Sequence, residues 1–331
     1  MLKHIISVII PVYNGEKTIK ETIESILNQS FIDFELIIIN ADSTDKTLSI
    51  IAQIKDERIK VFSYPKANVA VNRNRGIKHA NGDYITFIDA DDLWTTDKLA
   101  AQYTALQSNP QAGVAYSWTN CIDENSKFLR KTSHVNWSGD IYSKFLLDDF
   151  IGNGSNVMVR KEHLITVGGF DESLTNAQDT DMWLKLSAIT NFVCVPKPQI
   201  LYRVQQNSMS SNVIGLEKSN LEVIKRGFAR EKAKSLQHLK PIAIGNLYKY
   251  LCYKVLAAPP GKQQNAIAAR FLVTAIKTDI SLLFKPIIFK AVLKLVAMII
   301  LPPNWASIFF KKLPRFSNTS TFLGYEKTTI I

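Results

Sequence analysis

Between Ser7 and Ile88 four short apolar runs alternate with three stretches of helical periodicity, and this alternation limits the fold more than any other feature. The runs occupy residues 7–14, 34–39, 59–62 and 84–88. The second is continuous in Leu and Ile, the pattern of a strand covered on both faces. Between the first two runs, Ile19, Ile23, Ile26 and Leu27 recur at helical spacing. Residues 48–54 and 69–79 supply the other helices, the former preceded by a turn, 40–45, rich in N-cap side chains. Strands alternating with helices fold as right-handed βαβ units around a mostly parallel sheet.

The fourth run passes directly into Asp89-Ala90-Asp91-Asp92. The carboxyl ends of strands are where open α/β sheets bind ligands. Three carboxylates within four positions repel one another unless a cation or a donor-rich ligand compensates them. Such an oxygen-rich cluster suits Mg²⁺ or Mn²⁺ carrying a phosphorylated ligand. The four residues alone leave a second reading open, a solvated acidic turn with Asp92 or Asp97 capping the next helix.

A dinucleotide-binding domain would place a G-x-G-x-x-G turn after the first strand. Residues 11–16 are Pro11-Val12-Tyr13-Asn14-Gly15-Glu16, with one glycine, which argues against nicotinamide chemistry. Pro11, Asn14 and Gly15 also interrupt the N-terminal apolar run too early for a secretory signal. Cys121, Cys194 and Cys252 are too few and too scattered for a disulfide framework or a zinc site, as expected in a reducing cytoplasm. The five histidines show no ligand spacing.

Charge divides the chain. Residues 1–210 carry 21 basic against 24 acidic side chains, a balance of −3, whereas residues 211–331 carry 19 against 5, or +14. That asymmetry predicts two parts, 1–210 and 211–331, and an anionic partner for the second. Nucleic acid is disfavoured, because no recognition motif or interleaved aromatic platform accompanies the charge.

With these elements in place, further motifs fall in a recognisable order: Asn72-Arg73-Asn74-Arg75-Gly76, Ala80-Asn81-Gly82-Asp83-Tyr84, the Asp89–Asp92 cluster, Gly168-Gly169-Phe170-Asp171 and Gln178-Asp179-Thr180-Asp181. Together with residues 7–14 and 43–45, the series resembles the family 2 glycosyltransferases of the GT-A fold, over roughly the first two thirds of the chain. The resemblance implies an inverting enzyme that moves a sugar from a nucleotide-diphosphate donor to a glycan or lipid-linked acceptor. It implies Asp91 as ligand of Mn²⁺ or Mg²⁺, Asp89 near the ribose or the metal, and Asp92 in support. Pro11, Tyr13, Glu16, Asn40, Asp42 and Arg73 would line the donor pocket. Asp179 would be the general base, with Asp181 and Arg203 supporting, and Arg203 and Ser208 would approach the diphosphate. The chain departs from the family pattern at Ala41 and Asp42, where an acid and a glycine are usual, at Gln178 for Glu, and at Gln205 for His. The alternative is a non-catalytic scaffold of the same fold.

Beyond residue 219 the pattern predicts helices at 221–234, 242–256 and 264–276, with a break at Pro259-Pro260-Gly261. Residues 280–301 are strongly apolar but carry Lys285, Lys290 and Lys294, which disfavours a membrane span. The expectation is an α/β GT-A domain followed by a basic helical extension. That extension would lie peripherally, through residues 280–315, on an anionic membrane at its cytoplasmic face. The other reading packs Ile287, Val292, Leu295 and Ile299 into a soluble helical core.

Overall fold

The computed structural model describes residues 4–205, 212–257, 262–313 and 319–325. The chain forms two compact units, Met1–Phe145 with Asp149–Gln206, and Leu146–Asp148 with Asn207–Ile331.

The first unit opens as βαβ repeats: β1 (Ile6–Val12), α1 (Ile19–Leu27), β2 (Phe34–Asn40), α2 (Thr47–Gln53), β3 (Ile59–Ser63), α3 (Val69–His79) and β4 (Tyr84–Phe87). It continues with β5 (Leu93–Trp94), α4 (Lys98–Ser108), β6 (Ala112–Ile122), β7 (Phe128–Lys131), α5 (Tyr142–Leu147), β8 (Met158–Arg160), α6 (Lys161–Thr166), α7 (Gln178–Ile189) and β9 (Asn191–Arg203). One sheet runs β3–β2–β1–β4–β8–β6–β9–β5, and β7 pairs with the end of β6. It is parallel through β3–β2–β1–β4 and between β6 and β9, and antiparallel where β8 joins the halves and at β5 and β7. β1 and β2 are buried along all seven residues, as apolar strands covered on both faces must be. Ile6 pairs with both Phe34 and Tyr84, so the turns after β1, β2 and β4 emerge at one edge of the sheet.

Several motif residues serve this architecture. Glu35 is buried within β2 and accepts from Ser7 Oγ, the Asn81 amide and Lys60 Nζ at 2.6, 2.6 and 2.7 Å. Burial alone would raise its carboxyl pKa, but these donors hold it below the usual value. Gly82 passes so close to β1 that a Cβ would lie 2.7 Å from the Ser7 nitrogen. Asn74 brackets Phe170, accepting from its amide at 2.8 Å and donating to its carbonyl at 2.9 Å. Gly169 meets this bracket with φ +73°.

The second unit is helical: α8 (Val213–Ala229), α9 (Lys240–Ala257), α10 (Lys262–Thr278), α11 (Pro286–Ile300) and α12 (Pro303–Lys312). Its core joins Leu251 and Val255 of α9 to Phe271 and Ala275 of α10 and to Ile287, Ala291 and Leu295 of α11. The helix expected at 221–234 is corrected: α8 begins eight residues earlier and stops where Arg230 turns extended, and Glu231–Leu239 is 3₁₀. The apolar 280–301 segment also divides, because Pro286 starts α11 as its first residue. Of the four residues expected to pack together, Ile287 and Leu295 are buried while Val292 and Ile299 face outward. α11 is apolar around most of its circumference, and among the described residues its neighbours cover one face only. The Pro259-Pro260-Gly261 break lies outside the described residues.

Candidate active site

The three carboxylates after β4 differ in their surroundings. Asp89 keeps partial exposure and accepts from Arg73 Nη2 at 2.7 Å. Asp91 accepts from Gln205 Nε2 at 3.0 Å. Burial and then the charge of Asp89 push its carboxyl up to about 6. Asp92 is fully buried, taking Ser155 Oγ on one oxygen at 2.5 Å and the Arg203 amide on the other at 2.9 Å. Burial, then Asp91 and Asp89, raise its pKa well above the ordinary range. Asp92 is therefore a buried brace and not a helix cap, and Asp97 makes no side-chain cap to α4 either.

Arg203 ties this floor together. Its Nε donates to the Asp91 carbonyl at 2.8 Å and its Nη2 to Glu21 at 2.7 Å. Its Nη1 reaches the Asp123 and Glu124 carbonyls and Ser126 Oγ. The guanidinium is spent on protein atoms, so the expected approach to a diphosphate is corrected to a bracing role. Ser208 lies outside the described residues.

Loop 149–156, between α5 and β8, joins the cluster to α7. Ser155 donates to Asp92 and accepts the Asp89 amide at 2.9 Å. Gly154 lies against the buried Arg73, whose Nη2 would be 2.0 Å from any Cβ placed there. Asp149 accepts from Thr180 Oγ at 2.7 Å and from the Gly152 amide at 3.0 Å. Burial and then the neighbouring Asp179 push the Asp149 carboxyl up to about 6. Asp179 accepts the Thr180 amide at 3.0 Å. Burial raises its pKa while the charge of Arg73 pulls it down, with a net rise. α7 begins at Gln178 with Ala177 in its N-cap position, so neither Asp179 nor Asp181 is its N-cap. Asp181 instead pairs with Lys185 at 2.8 Å and is buried.

At the other side of the cluster, the turns after β1 and β2 are knitted to each other. Asn14 accepts the Thr44 amide at 2.8 Å, and Glu16 accepts the Lys46 amide at 3.0 Å. Asn40 is buried and uses its side chain within the protein, on the Ser43 amide and Ser63 Oγ, so it shapes the turn. Pro11 is buried, and Tyr13 is exposed with Lys66 Nζ 3.9 Å above its ring. Asp42, exposed, adopts φ +62°. The turn needs a left-handed residue there, a backbone that glycine adopts freely and that Asp tolerates. Ala41 is buried, its amide on the Val12 carbonyl.

Sequence reasoning did not assign Asp149, Ser155, Glu21 or the Gln205 contact. The signal available was the polar run Asn153, Ser155 and Asn156 set among Gly152 and Gly154. The residues fit a divalent cation in one respect. Asp91 and Asp89 present hard oxygens whose mutual repulsion a cation would relieve. Among the described residues no three acidic, His or Cys side chains form a self-sufficient cage. The fit is to a cation that shares its coordination with ligand oxygens.

The family described as Glycosyltransferase like family 2 matches residues 7–255. The chain is 31% identical over 220 residues to the UDP-Glc:alpha-D-GlcNAc-diphosphoundecaprenol beta-1,3-glucosyltransferase WfgD of Escherichia coli, covering 63% of this chain and 81% of that protein. It is 33% identical over 217 residues to the putative teichuronic acid biosynthesis glycosyltransferase TuaG of Bacillus subtilis, covering 63% and 83%. With an uncharacterized glycosyltransferase of Rickettsia bellii it shares 33% identity over 189 residues, but spans 26% of that protein's length and aligns over 55% of its own. The mannosyltransferase PcManGT of Pyrobaculum calidifontis, solved with GDP-Man and Mn²⁺, superposes with a TM-score of 0.58 at 19% identity, covering 99% of this chain and 89% of that one. TarS 1–349 of S. aureus, solved with UDP, gives 0.53 at 19% identity, covering 83% and 88%. These likenesses identify the fold as GT-A. The chain belongs to the family 2 glycosyltransferases.

Proposed function

We propose that the chain transfers a sugar, with inversion, from a nucleotide-diphosphate donor to a hydroxyl of a glycan or lipid-linked acceptor in cell-surface polymer synthesis. One observation carries this reading. Arg73 hydrogen-bonds Asp89 and acts through space on Asp179, so the β4 carboxylates and a carboxyl with raised proton affinity share one site. The names of WfgD and TuaG support a surface-glycan acceptor, and the ligands of PcManGT and TarS support a nucleotide-sugar donor.

Asp91, with Asp89 beside it, would hold Mn²⁺ or Mg²⁺ together with the diphosphate oxygens. When bound, that cation supplies Lewis-acid neutralisation of the leaving group. Asp89, tethered by Arg73, orients the donor side. Asp179 takes the proton of the acceptor hydroxyl as its oxygen attacks the anomeric carbon. Arg203 and Asp92 keep the turn carrying Asp91 in place, and Asp42 and Tyr13 would line the nucleotide base.

The test is hydrolysis of UDP-glucose, UDP-GlcNAc and GDP-mannose with Mn²⁺. The expected result is that one donor is cleaved and that Asp179→Asn cuts turnover at least about 100-fold. The same variant should still gain thermal stability from that donor. Near-normal turnover by Asp179→Asn would refute the reading.

The reading includes peripheral contact with an anionic membrane through residues 280–315. Phe289, Ile300 and Trp305, 69%, 72% and 70% exposed, lie on the uncovered side of α11 and α12, where Lys290 is half-buried and Lys312 exposed. No helix among the described residues is long and apolar enough to cross a bilayer. Full-length Phe289→Ser/Ile300→Ser protein should sediment with phosphatidylglycerol vesicles at least about tenfold less than wild type. Equal sedimentation would remove the membrane contact.

A further inference from the structure

The β6–β7 hairpin carries side chains that neither the sheet nor the reaction uses. β7 is an edge strand, paired only with the end of β6 among the described residues. All four of its side chains are exposed, Phe128 at 60% and Leu129 at 50%. Successive side chains of a strand point to opposite faces, so Phe128 and Arg130 share one face and Leu129 and Lys131 the other. Each face therefore presents one apolar and one cationic side chain. Lys127, immediately before the strand, is exposed as well. No carboxylate pairs with Lys127, Arg130 or Lys131 among the described residues. Of the acids nearby, Glu21 takes Arg203 and Ser126 Oγ, and Asp123 takes the Asn125 and Lys127 amides.

The turn of this hairpin is fixed to the floor of the active site. The Asp123 amide donates to the Lys127 carbonyl at 2.8 Å and closes a turn in which Ser126 adopts φ +62°. The buried Arg203 donates through Nη1 to the Asp123 and Glu124 carbonyls, each at 3.2 Å, and to Ser126 Oγ at 3.0 Å. Its Nε reaches the Asp91 carbonyl at 2.8 Å. One side chain thus spans from the hairpin to the residue proposed to hold the cation.

We propose that the β6–β7 hairpin docks on an anionic lipid bilayer and seats the catalytic unit at the headgroup layer beside its own active site. Charge complementarity selects the occupant. Lys127, Arg130 and Lys131, without carboxylate partners, meet anionic headgroups, while Phe128 and Leu129 enter the acyl boundary. A strand exposed on both faces fits a fluid layer that closes around it, whereas a folded partner would cover one face. Lysine on a strand edge also opposes pairing with the same strand of a second copy. This surface is separate from residues 280–315, which belong to the other compact unit. The inference rests on the proposed lipid-linked acceptor for its purpose alone: a sugar tethered to a lipid can reach Asp91 and Asp179 where the site borders the membrane.

The experiment is site-resolved hydrogen exchange of the full-length protein, alone, with phosphatidylglycerol vesicles and with phosphatidylcholine vesicles. Amides of residues 127–131 should exchange at least about fivefold more slowly with phosphatidylglycerol and should be unchanged with phosphatidylcholine. Lys127→Glu/Arg130→Glu/Lys131→Glu protein should lose that protection and keep vesicle-free hydrolysis of the donor that wild type cleaves. If it does not fold, Phe128→Ser/Leu129→Ser takes its place with the same expected loss. Protection retained after charge reversal, or equal with the two lipids, overturns the proposal. So does protection that appears without lipid as protein concentration rises, in favour of a second copy. Unprotected residues 127–131 in a protein that hydrolyses donor overturn this inference alone. Protection in a protein that cleaves no donor removes the transfer reading and leaves the docking surface standing.

Discussion

Two groups of acidic residues, built from the same side chain, are embedded in opposite ways. After β4, Asp89, Asp91 and Asp92 are met by Arg73, the Gln205 amide, Ser155 and the Arg203 backbone. Across Arg73, Asp149 and Asp179 are met by Thr180 and a glycine amide, with no cation in hydrogen-bond contact among the described residues. The first group is crowded and partly compensated, which suits a divalent ion shared with a phosphorylated ligand. The second is more deeply recessed, and burial outweighs the charge of Arg73 at Asp179, which suits holding a proton. The embedding, more than the residue type, divides the labour.

The sharpest way to break this comparison is to remove Asp91. Asp91→Asn, or wild type in excess EDTA, should lose about 10³-fold or more of donor hydrolysis, because leaving-group neutralisation disappears. In the EDTA-treated enzyme added Mn²⁺ or Mg²⁺ should restore activity; in Asp91→Asn it should not. Asp179→Asn should instead keep its Mn²⁺-dependent thermal stabilisation by nucleotide. If both variants lost that stabilisation equally, the two groups would be one electrostatic unit and the division would fail. Full activity in EDTA would remove the metal from the reading altogether.

The alternation of strands and helices and the placement of Asp89–Asp92 at a strand end were legible in the sequence, because apolar periodicity and sheet topology are local and general constraints. The helical extension was legible as helices but not in its boundaries: nothing in the residues around Arg230 announces the extended backbone that ends α8. The antiparallel strand β8, which splits the sheet into two parallel parts, depends on long-range pairing with β4 and β6 that no periodicity encodes. In the site, roles depended on which atoms were already engaged. Asn40 and Arg203 look like ligand contacts in sequence, and the structure occupies both with protein partners. Gln205 looks like a lost histidine, yet its amide still reaches Asp91. Asp42 reads as a departure from glycine, and its left-handed backbone shows why the two are interchangeable there.

A smaller effect sharpens the same comparison from within loop 149–156, which serves both groups. Ser155 is buried and its hydroxyl serves the β4 side, donating to Asp92 and accepting the Asp89 amide. Asp149, six residues earlier, accepts from Thr180 of α7. Ser155→Ala leaves a buried carboxylate short of one donor and a buried amide short of its acceptor. The expected cost is about 1–3 kcal/mol of unfolding free energy, read from the denaturation midpoint at constant m-value. Slackening the turn that carries Asp91 should also weaken Mn²⁺ binding in the presence of nucleotide several-fold, read by titration calorimetry. The acid limb of the pH profile should stay where it is, since the Asp149–Thr180–Asp179 contacts are untouched. A displaced limb would mean that the loop transmits strain between the two groups, and that their separation in space does not make them independent.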